Sequence, residues 1–521
     1  MIPDNNGFVS AESALYSALH QARTKEAIEA AAKRRERTIE DMREYMRRAD
    51  IRLPEVGGPS IVHITGTKGK GSTASMCESI LRRRYSCVTG MFTSPHLIDI
   101  RERIRVNGSP VSREVFGKAY WQVRKRLESY SENSGDLPLL PGYFRMLVLV
   151  ALYVFSRYSP TIDVIILEVG MGGRYDATNI IDTDQRNVVC GIAQLDFDHT
   201  RVLGDTLEQI AWEKGGIFKV HKDSKSTELS NAEGLQITTG NKRLFAIGTN
   251  PSSCLEVLRH CARIEGEGQD LQVIDHSARP NLELGLQGDH QRINAELAIA
   301  LCTSLMTNPE IDLGENVMNN ALKETSWPGR CQTVEVSRNL VIRLDGAHTP
   351  KSIEASLKWY MEKCSEPTQE CERCLIFNCS HERNPVPLLQ TLQSAGFHRV
   401  YFCPADFERP SAVGKSSANE LLTRSRIPIP NNRESAQATT WQDTLAEIWM
   451  KLEQQPPSHN NAIVHSNIKV SAAISRIESD TALQEGTRTD VFVVGSLYIV
   501  GSALQALGWK ENDANGNLCE P

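Results

Sequence analysis

The chain has 521 residues, 23% of them charged and 40% apolar, with thirteen cysteines and a formal net charge of −6. That length exceeds one ordinary domain, and the composition can bury real cores, which excludes a globally disordered chain. Mild acidity excludes a protein that coats nucleic acid by bulk charge and leaves room for a local anion pocket. An odd, scattered set of cysteines does not read as a secreted disulfide framework. The most apolar run, Met146 to Phe155, has ten residues, too few to span a bilayer. The start, MIPDNNGFVSAES, lacks a basic segment followed by an apolar one, so secretion is not expected.

In chain order, the first fifty residues, with AIEAAAKRRERTIEDMREYMRRA, predict a solvated helical segment whose charge runs need no functional reading. Ile61–Thr65 is a short β-branched run, followed by the Gly-rich GTKGKGS and a helical pattern holding Met76, Ile80 and Leu81. Val164–Val169 predicts a second buried strand, ending in GMGGR, and Asn187–Gln194 a third. Strands alternating with helices imply a mostly parallel sheet covered on both faces. Residues 221–280, with DSKSTELSNAEG and EGEGQD, predict surface loops and short elements. Helical patterning returns at Asn294 to Leu305. Pro328-Gly329 marks a linker into a second α/β series, with strands expected at Leu340–Leu344, Leu375–Phe377, Val400–Cys403 and Val491–Val494. Glu408 to Ala436 reads as an irregular insertion. The expected organisation is two α/β domains, 1–325 and 326–521.

Two cysteine readings are set aside. Cys371, Cys374, Cys379 and His381 have a zinc-like spacing, but Cys374–Cys379 reads as one buried strand. Its two sulfurs would then point to opposite faces. Cys519 stands third from the end, so the prenylation motif is absent.

Gly66-Thr67-Lys68-Gly69-Lys70-Gly71-Ser72, between a strand and a helix, carries the chemistry. Glycines let successive backbone N–H groups face phosphate oxygens, and the following helix adds the positive end of its dipole. Lys70 supplies a mobile charge for the β- and γ-phosphates, and Ser72 a hydroxyl for Mg²⁺. One glycine separates Lys70 from Ser72, a departure from the usual P-loop spacing. Glu168, at the end of its strand, and His199, after the next, add carboxylate and imidazole on the same sheet edge. With Ser72 they suit a Mg²⁺ shared with phosphate. Each has an ordinary alternative: an acid capping a helix, and a histidine serving structure. Lys214, in IAWEKGGIF, reads as an ordinary helical lysine.

Nine strings occur in order: HITGTKGKGSTASMCESIL, MFTSPHLIDIRERIRVNG, YFRMLVLVALYVF, LEVGMGGRYDATN, DHTRVLGDTLEQIAWEKGGIFK, GDHQRINAELAIAL, WPGR, LDGAHTP and VVGSLYIVG. Together they resemble the eukaryotic-type folylpolyglutamate synthases, in the folate branch of the Mur ligase superfamily. The resemblance runs from about residue 40 to residue 505. It implies an N-terminal P-loop ATPase domain with folate-binding surface and a smaller C-terminal Rossmann-like domain contributing to ATP and glutamate binding. The implied reaction is ATP-dependent addition of L-glutamate to the γ-carboxylate of a folate's glutamate tail, through an acyl phosphate.

The resemblance also implies roles. Gly66 to Ser72 hold ATP phosphates, Ser72 and Glu168 one Mg²⁺, and His199 a second metal. Lys214 aligns with a carbamylated lysine, Asn294 lies near adenine, and Arg330 reaches phosphate. Asp345 and His348 face the nucleotide and, with Lys70 and Lys214, form the implied catalytic set. Ser94, Pro95 and His96 resemble the folate-side loop, Ser496 and Tyr498 the incoming-glutamate side. A monovalent cation (K⁺) joins ATP and Mg²⁺ as an optional ion. Expected partners are small molecules alone, with no nucleic acid or membrane span, and the chain is expected to be a monomer. Asp4 and Glu12 fall early in a start that is not Arg-rich, which points to the cytoplasm and leaves a mitochondrial form open.

Two departures matter. FNCSHERNP, Phe377 to Pro385, stands where the family reads close to FNATGDRDP, and the tract after Lys219 lacks the usual proline-led run. They keep an alternative acceptor in view: dihydropteroate, or another carboxylic acid in a specialised pathway. Binding without turnover is the third reading, and no degenerate position motivates it.

Overall fold

The computed structural model describes the chain except residues 1–4, 22–28, 30–31, 54–57, 131–135, 182–186, 220–228, 231–235, 238–242, 267, 276–278, 280–281, 307–313, 365–370, 382, 407–416, 428–439, 455–460, 484–486, 515–516 and 519–521. Cys519 and most of the 408–436 tract lie outside the described residues. The remainder forms two compact units. One is Met1–Gly285 with Gln291–Ser326 and Glu511–Pro521; the other is Leu286–His290 with Trp327–Lys510.

The first unit carries β1 (Ser60–Thr65), β2 (Thr89–Phe92), β3 (Ile104–Val106), β4 (Ser109–Pro110), β5 (Tyr158–Ser159), β6 (Val164–Glu168), β7 (Val188–Ile192), β8 (Leu229–Ser230), β9 (Gln236–Ile237), β10 (Leu244–Ile247) and β11 (Leu271–Ile274). Eight of them form one sheet, ordered β11-β10-β7-β1-β6-β2-β3-β4. From β11 to β2 every neighbour is parallel; β3 and β4 add an antiparallel edge. β1, β6 and β7 are buried along their whole length, as their unbroken apolar and β-branched runs require. One face packs against helices Arg113–Glu128, Tyr143–Arg157 and Ser252–Glu265 in a single core. Helix Lys70–Tyr85 packs on β1, β2 and β6, and its Cys77 Sγ donates to Ala298 O of helix His290–Leu305.

The charged opening segment is not simply a solvated helix. Phe8, Ala11 and Leu15 of helix Asn5–Gln21 and Met42 and Tyr45 of helix Thr38–Arg48 are buried in the core. Asp41 is buried as well and binds Arg34 and Arg145. Charged neighbours hide a narrow apolar stripe with helical spacing. Nor is 221–280 only surface: β10 is wholly buried, and helix Ser252–Glu265 buries Cys254, Leu255, Leu258, Cys261 and Ala262.

The second unit adds β12 (Gln332–Ser337), β13 (Leu340–Leu344), β14 (Cys371–Phe377), β15 (Arg399–Phe402), β16 (Ile463–Ser466) and β17 (Arg488–Val494), ordered β12-β13-β17-β14-β15-β16. Only the β12–β13 pair is antiparallel. The four strands expected from the sequence are all present; β12 and β16 had no continuous apolar run to announce them. β14 ends at Phe377, short of Cys379. The chain's final strand, β18 (Asn517–Leu518), pairs with β5 in the first unit. No described helix is long and apolar enough to cross a membrane.

Candidate active site

In the first unit, the carboxyl ends of β1, β6 and β7 converge. Thr67 and Lys68 donate their N–H groups to Gln194 O at 2.7 and 3.0 Å, and Thr67 Oγ1 donates to Asp196 O at 2.9 Å. These bonds fasten the Gly-rich loop to the segment leaving β7. Gly69 has φ +82°, and a Cβ there would collide with Asn294 Oδ1. The loop therefore turns where only glycine fits, directly beside Asn294. Helix Lys70–Tyr85 starts at once, with Gly71 and the buried Ser72 in its first turn, where backbone N–H groups have no helical acceptor.

Charge is concentrated on this rim. Lys70 Nζ lies 3.5 Å from Thr67 O and 4.0 Å from Glu168 Oε1. Glu168 closes β6 and is buried; its Oε2 accepts from Ser94 N at 3.0 Å. Lys214 is no ordinary helical lysine. It is 4% exposed, at the end of helix Leu207–Gly215, and Nζ donates to Gly66 O at 2.9 Å. Burial, and then the charge of Lys70, pull its pKa from 10.5 down to about 7, against the opposing pull of Asp198, Asp176 and Glu213. Lys70 and the buried Lys214 repel each other beneath the loop, a repulsion that an anionic ligand would relieve.

The sequence leaves the GMGGRYDATN segment without a role. Asp176 accepts from Met171 N, Thr178 N and Thr178 Oγ1 at 3.1, 3.0 and 2.6 Å. Asn179 Nδ2 donates to Arg174 O and Gly216 O, both at 3.0 Å, which ties the segment to the turn after Lys214. Thr178 Oγ1 meets His63 Nε2 at 2.9 Å, and burial pushes that imidazole's pKa down to about 3. The segment is thus the frame on which Lys214 rests.

His96 is buried, with Nδ1 accepting from Arg103 Nε at 2.9 Å and Nε2 3.3 Å from Tyr16 Oη. Ser94 and Pro95 lead into it, and the Ser94–Glu168 bond brings this loop to the acid at the end of β6. His199 begins the short helix Thr200–Leu203 with φ +50°; its half-exposed ring has Nε2 4.0 Å from Asp198 Oδ2. Among the described residues no three His, Cys, Asp or Glu side chains gather tightly enough to hold a metal alone. A cation on this rim would need oxygens from phosphate, water and hydroxyl. That sparse donor set fits Mg²⁺, which keeps most of its own waters.

In the second unit, Asp345 follows β13, and its N–H donates to Val493 O of β17 at 3.0 Å. Its carboxylate accepts from Cys331 N at 2.8 Å and Ala347 N at 2.9 Å, so it clamps two loops together. His348 Nδ1 lies 2.7 Å from Gly346 O, and its carbonyl accepts from Arg383 Nη1 at 3.2 Å. A Cβ on Gly346 would collide with Leu497 and Arg330 Nη1, so glycine admits the arginine to this rim. Ser496 Oγ caps helix Leu497–Ala506, accepting from Ile499 N at 3.2 Å, with Tyr498 in the first turn. Arg330, Asp345, His348, Ser496 and Tyr498 thus share the carboxyl-end rim of β13 and β17. In the altered loop, the His381 ring lies tilted against Trp441, with centroids 4.5 Å apart.

No family profile matches the chain. It is 33% identical over 540 residues to mitochondrial folylpolyglutamate synthase of Bos taurus, covering 90% of this chain and 87% of that protein. It is also 33% identical to the folylpolyglutamate synthase of a Saccharomyces cerevisiae strain, over 90% of this chain and 80% of that one. Among solved structures, Mycobacterium tuberculosis folylpolyglutamate synthase complexed with ADP and AMPPCP matches with TM-score 0.66 and 20% identity, covering 92% and 96% of the two chains. The bifunctional folylpolyglutamate synthase/dihydrofolate synthase of Yersinia pestis, complexed with AMPPNP and a Mn ion, matches with TM-score 0.61 and 24% identity, covering 90% and 93%.

Proposed function

The chain belongs to the folylpolyglutamate synthase family, and we propose that it ligates L-glutamate to the γ-carboxylate of folate glutamate tails, consuming ATP. The observation that carries this reading in the molecule itself is the meeting of Lys70, Glu168 and the depressed Lys214 beneath a Gly-rich loop.

A carboxylate is a poor electrophile because oxide is a hopeless leaving group. An oxygen of the folate γ-carboxylate therefore attacks the γ-phosphorus of ATP, breaking its bond to ADP. The amine of glutamate then adds to the acyl-phosphate carbon, loses a proton, and phosphate leaves. Positioning and charge neutralisation carry such transfers. Gly66 to Ser72 offer backbone N–H groups and the Lys70 ammonium to the phosphates. Ser72 and Glu168 would hold one Mg²⁺ and His199 a second metal, cations that would neutralise phosphate charge. K⁺ is proposed as an optional further ion.

Lys214 is the residue whose chemistry the burial alters most. With its pKa near 7, a large share of the amine is neutral at physiological pH. A neutral amine adds CO₂ and releases a proton, giving a carbamate whose negative charge suits a rim that binds cations. In the second unit, Arg330 would meet phosphate and Asp345 would hold its loop in place. His348, Ser496 and Tyr498 would serve the nucleotide and the incoming glutamate.

Purified chain with ATP, Mg²⁺, tetrahydrofolate and glutamate should release phosphate only when folate and glutamate are both present. Phosphate release indifferent to both would end the ligase reading. A second acceptor class is favoured by one observation: the altered loop reaches the His348 segment through Arg383 and places His381 on Trp441. Dihydropteroate outcompeting folates in the same assay would establish that alternative. We place the chain in the cytoplasm as a monomer; fractionation and sedimentation test both.

A further inference from the structure

Six described arginines are buried nearly completely: Arg48, Arg103, Arg105, Arg243, Arg343 and Arg399. A guanidinium keeps its charge in a protein, so burying one without a counter-ion is costly. Four of the six have a carboxylate close by: Glu44 at 2.8 Å, Glu511 at 2.7 Å, Asp490 at 3.0 Å and Glu372 at 2.6 Å, respectively for Arg48, Arg105, Arg343 and Arg399. Arg243 instead bonds the side-chain oxygen of Asn187 and the Val188 carbonyl.

Arg103 differs from all of these. Its side chain makes one hydrogen bond among the described residues, from Nε to His96 Nδ1 at 2.9 Å, and its guanidinium lies 5.7 Å from the centre of the Tyr143 ring. No carboxylate among the described residues pairs with it. The contrast holds within one short segment. Arg101, two residues before, binds Asp99 and Asp513, and Arg105, two after, is held bidentately by Glu511. Among the described residues, the flanking arginines have acids and the middle one has none. Nε is occupied, so the free donors are the end-on pair Nη1 and Nη2, which match the two oxygens of a carboxylate.

We propose that Arg103 binds the α-carboxylate of the acceptor's terminal glutamate. This rests on the ligase reading above and on the Ser94–His96 loop facing the acceptor. That loop joins Arg103, through His96, to Glu168, through Ser94, and so to the Lys70 rim. The terminal glutamate of a folate tail has two carboxylates, of which only the γ reacts. A permanently charged fork would damp the nucleophilicity of the carboxylate it grips, so it suits the one that does not react. Gripping the α-carboxylate fixes which carboxylate is presented to ATP. Arg103 is in this sense a substrate-positioning and specificity residue.

The test is a cycle of two enzymes and two acceptors, tetrahydrofolate and its α-carboxamide. For the wild-type chain, the α-carboxamide should raise the acceptor KM on the order of 100-fold, with a smaller change in kcat. Arg103→Gln should raise the KM for tetrahydrofolate by a similar factor and discriminate little between the two acceptors. Arg103→Lys should fall between, having charge without the fork. A wild-type enzyme indifferent to the α-carboxamide overturns the proposal. So does an Arg103→Gln loss that is equal for both acceptors, which would mark a purely structural residue. Should Arg103→Gln fail to fold, the wild-type comparison and Arg103→Lys decide the matter. Wild-type phosphate release that ignores every folate would instead sink the ligase reading, and this assignment with it.

Discussion

Both units end a parallel sheet in functional loops, yet they treat charge in opposite ways. On the first rim, Lys70 lies beside the buried Glu168, and the pKa of Lys214 is depressed, by burial first and then by the charge of Lys70. On the second, the central acid is already satisfied: both oxygens of Asp345 accept backbone N–H groups. One rim holds electrostatic tension that a polyanion and cations would relieve. The other is preorganised before any ligand arrives. The contrast teaches that residues on equivalent sheet edges divide between chemistry and scaffolding, and hydrogen-bond partners tell which is which.

The largest effect should come from breaking the tense rim. Lys214→Ala is expected to lower ligation at least about 1000-fold while leaving nucleotide binding within a few-fold, with partial rescue by short carboxylic acids. Steady-state turnover and equilibrium nucleotide titration check it; wild-type turnover in the variant would remove the carbamate role. Next, Glu168→Gln keeps an acceptor for Ser94 N–H and removes only charge. Turnover should drop on the order of 100-fold, with a raised Mg²⁺ requirement seen in a metal titration.

On the satisfied rim the effect should be smaller and of another kind. Asp345→Asn leaves one buried backbone N–H facing an amide donor, costing about 1–3 kcal/mol. Lower thermal stability and a KM for ATP raised roughly tenfold are expected from a displaced loop. A variant with full stability and no turnover would instead make Asp345 a catalytic group. The smallest effect sharpens the origin of the tension. A lysine whose folded pKa lies below its unfolded one binds fewer protons when folded between pH 7 and 10.5, so it makes stability rise with pH across that window. Lys214→Met should flatten that rise, and melting of the ligand-free protein measured without bicarbonate at several pH values would show it. Equal slopes in the two proteins would count against a depressed Lys214.

Much of this was readable along the chain. Ile61–Thr65 and Val164–Glu168 are continuous β-branched runs, and such runs become strands buried on both faces whatever their neighbours do. GTKGKGS needed only a strand before it and a helix after it to be read as an anion loop. What stayed hidden depended on distant partners. Helix Ser252–Glu265 was masked by polar sequence around it, and the opening helices by their charges. Lys214 looked like any helical lysine because burial is a property of what packs around a side chain.

The order of apolar runs, glycines and charged strings by itself determined the class of fold, the anion loop and the family. Those signals are local, and each is set by the geometry of a few consecutive residues. Tertiary structure alone decided which charges are paired. It set Glu511 against Arg105, left Arg103 without an acid among the described residues and drew Lys214 beneath Gly66. Ion pairing and desolvation depend on separations across hundreds of residues, and only the folded chain fixes those.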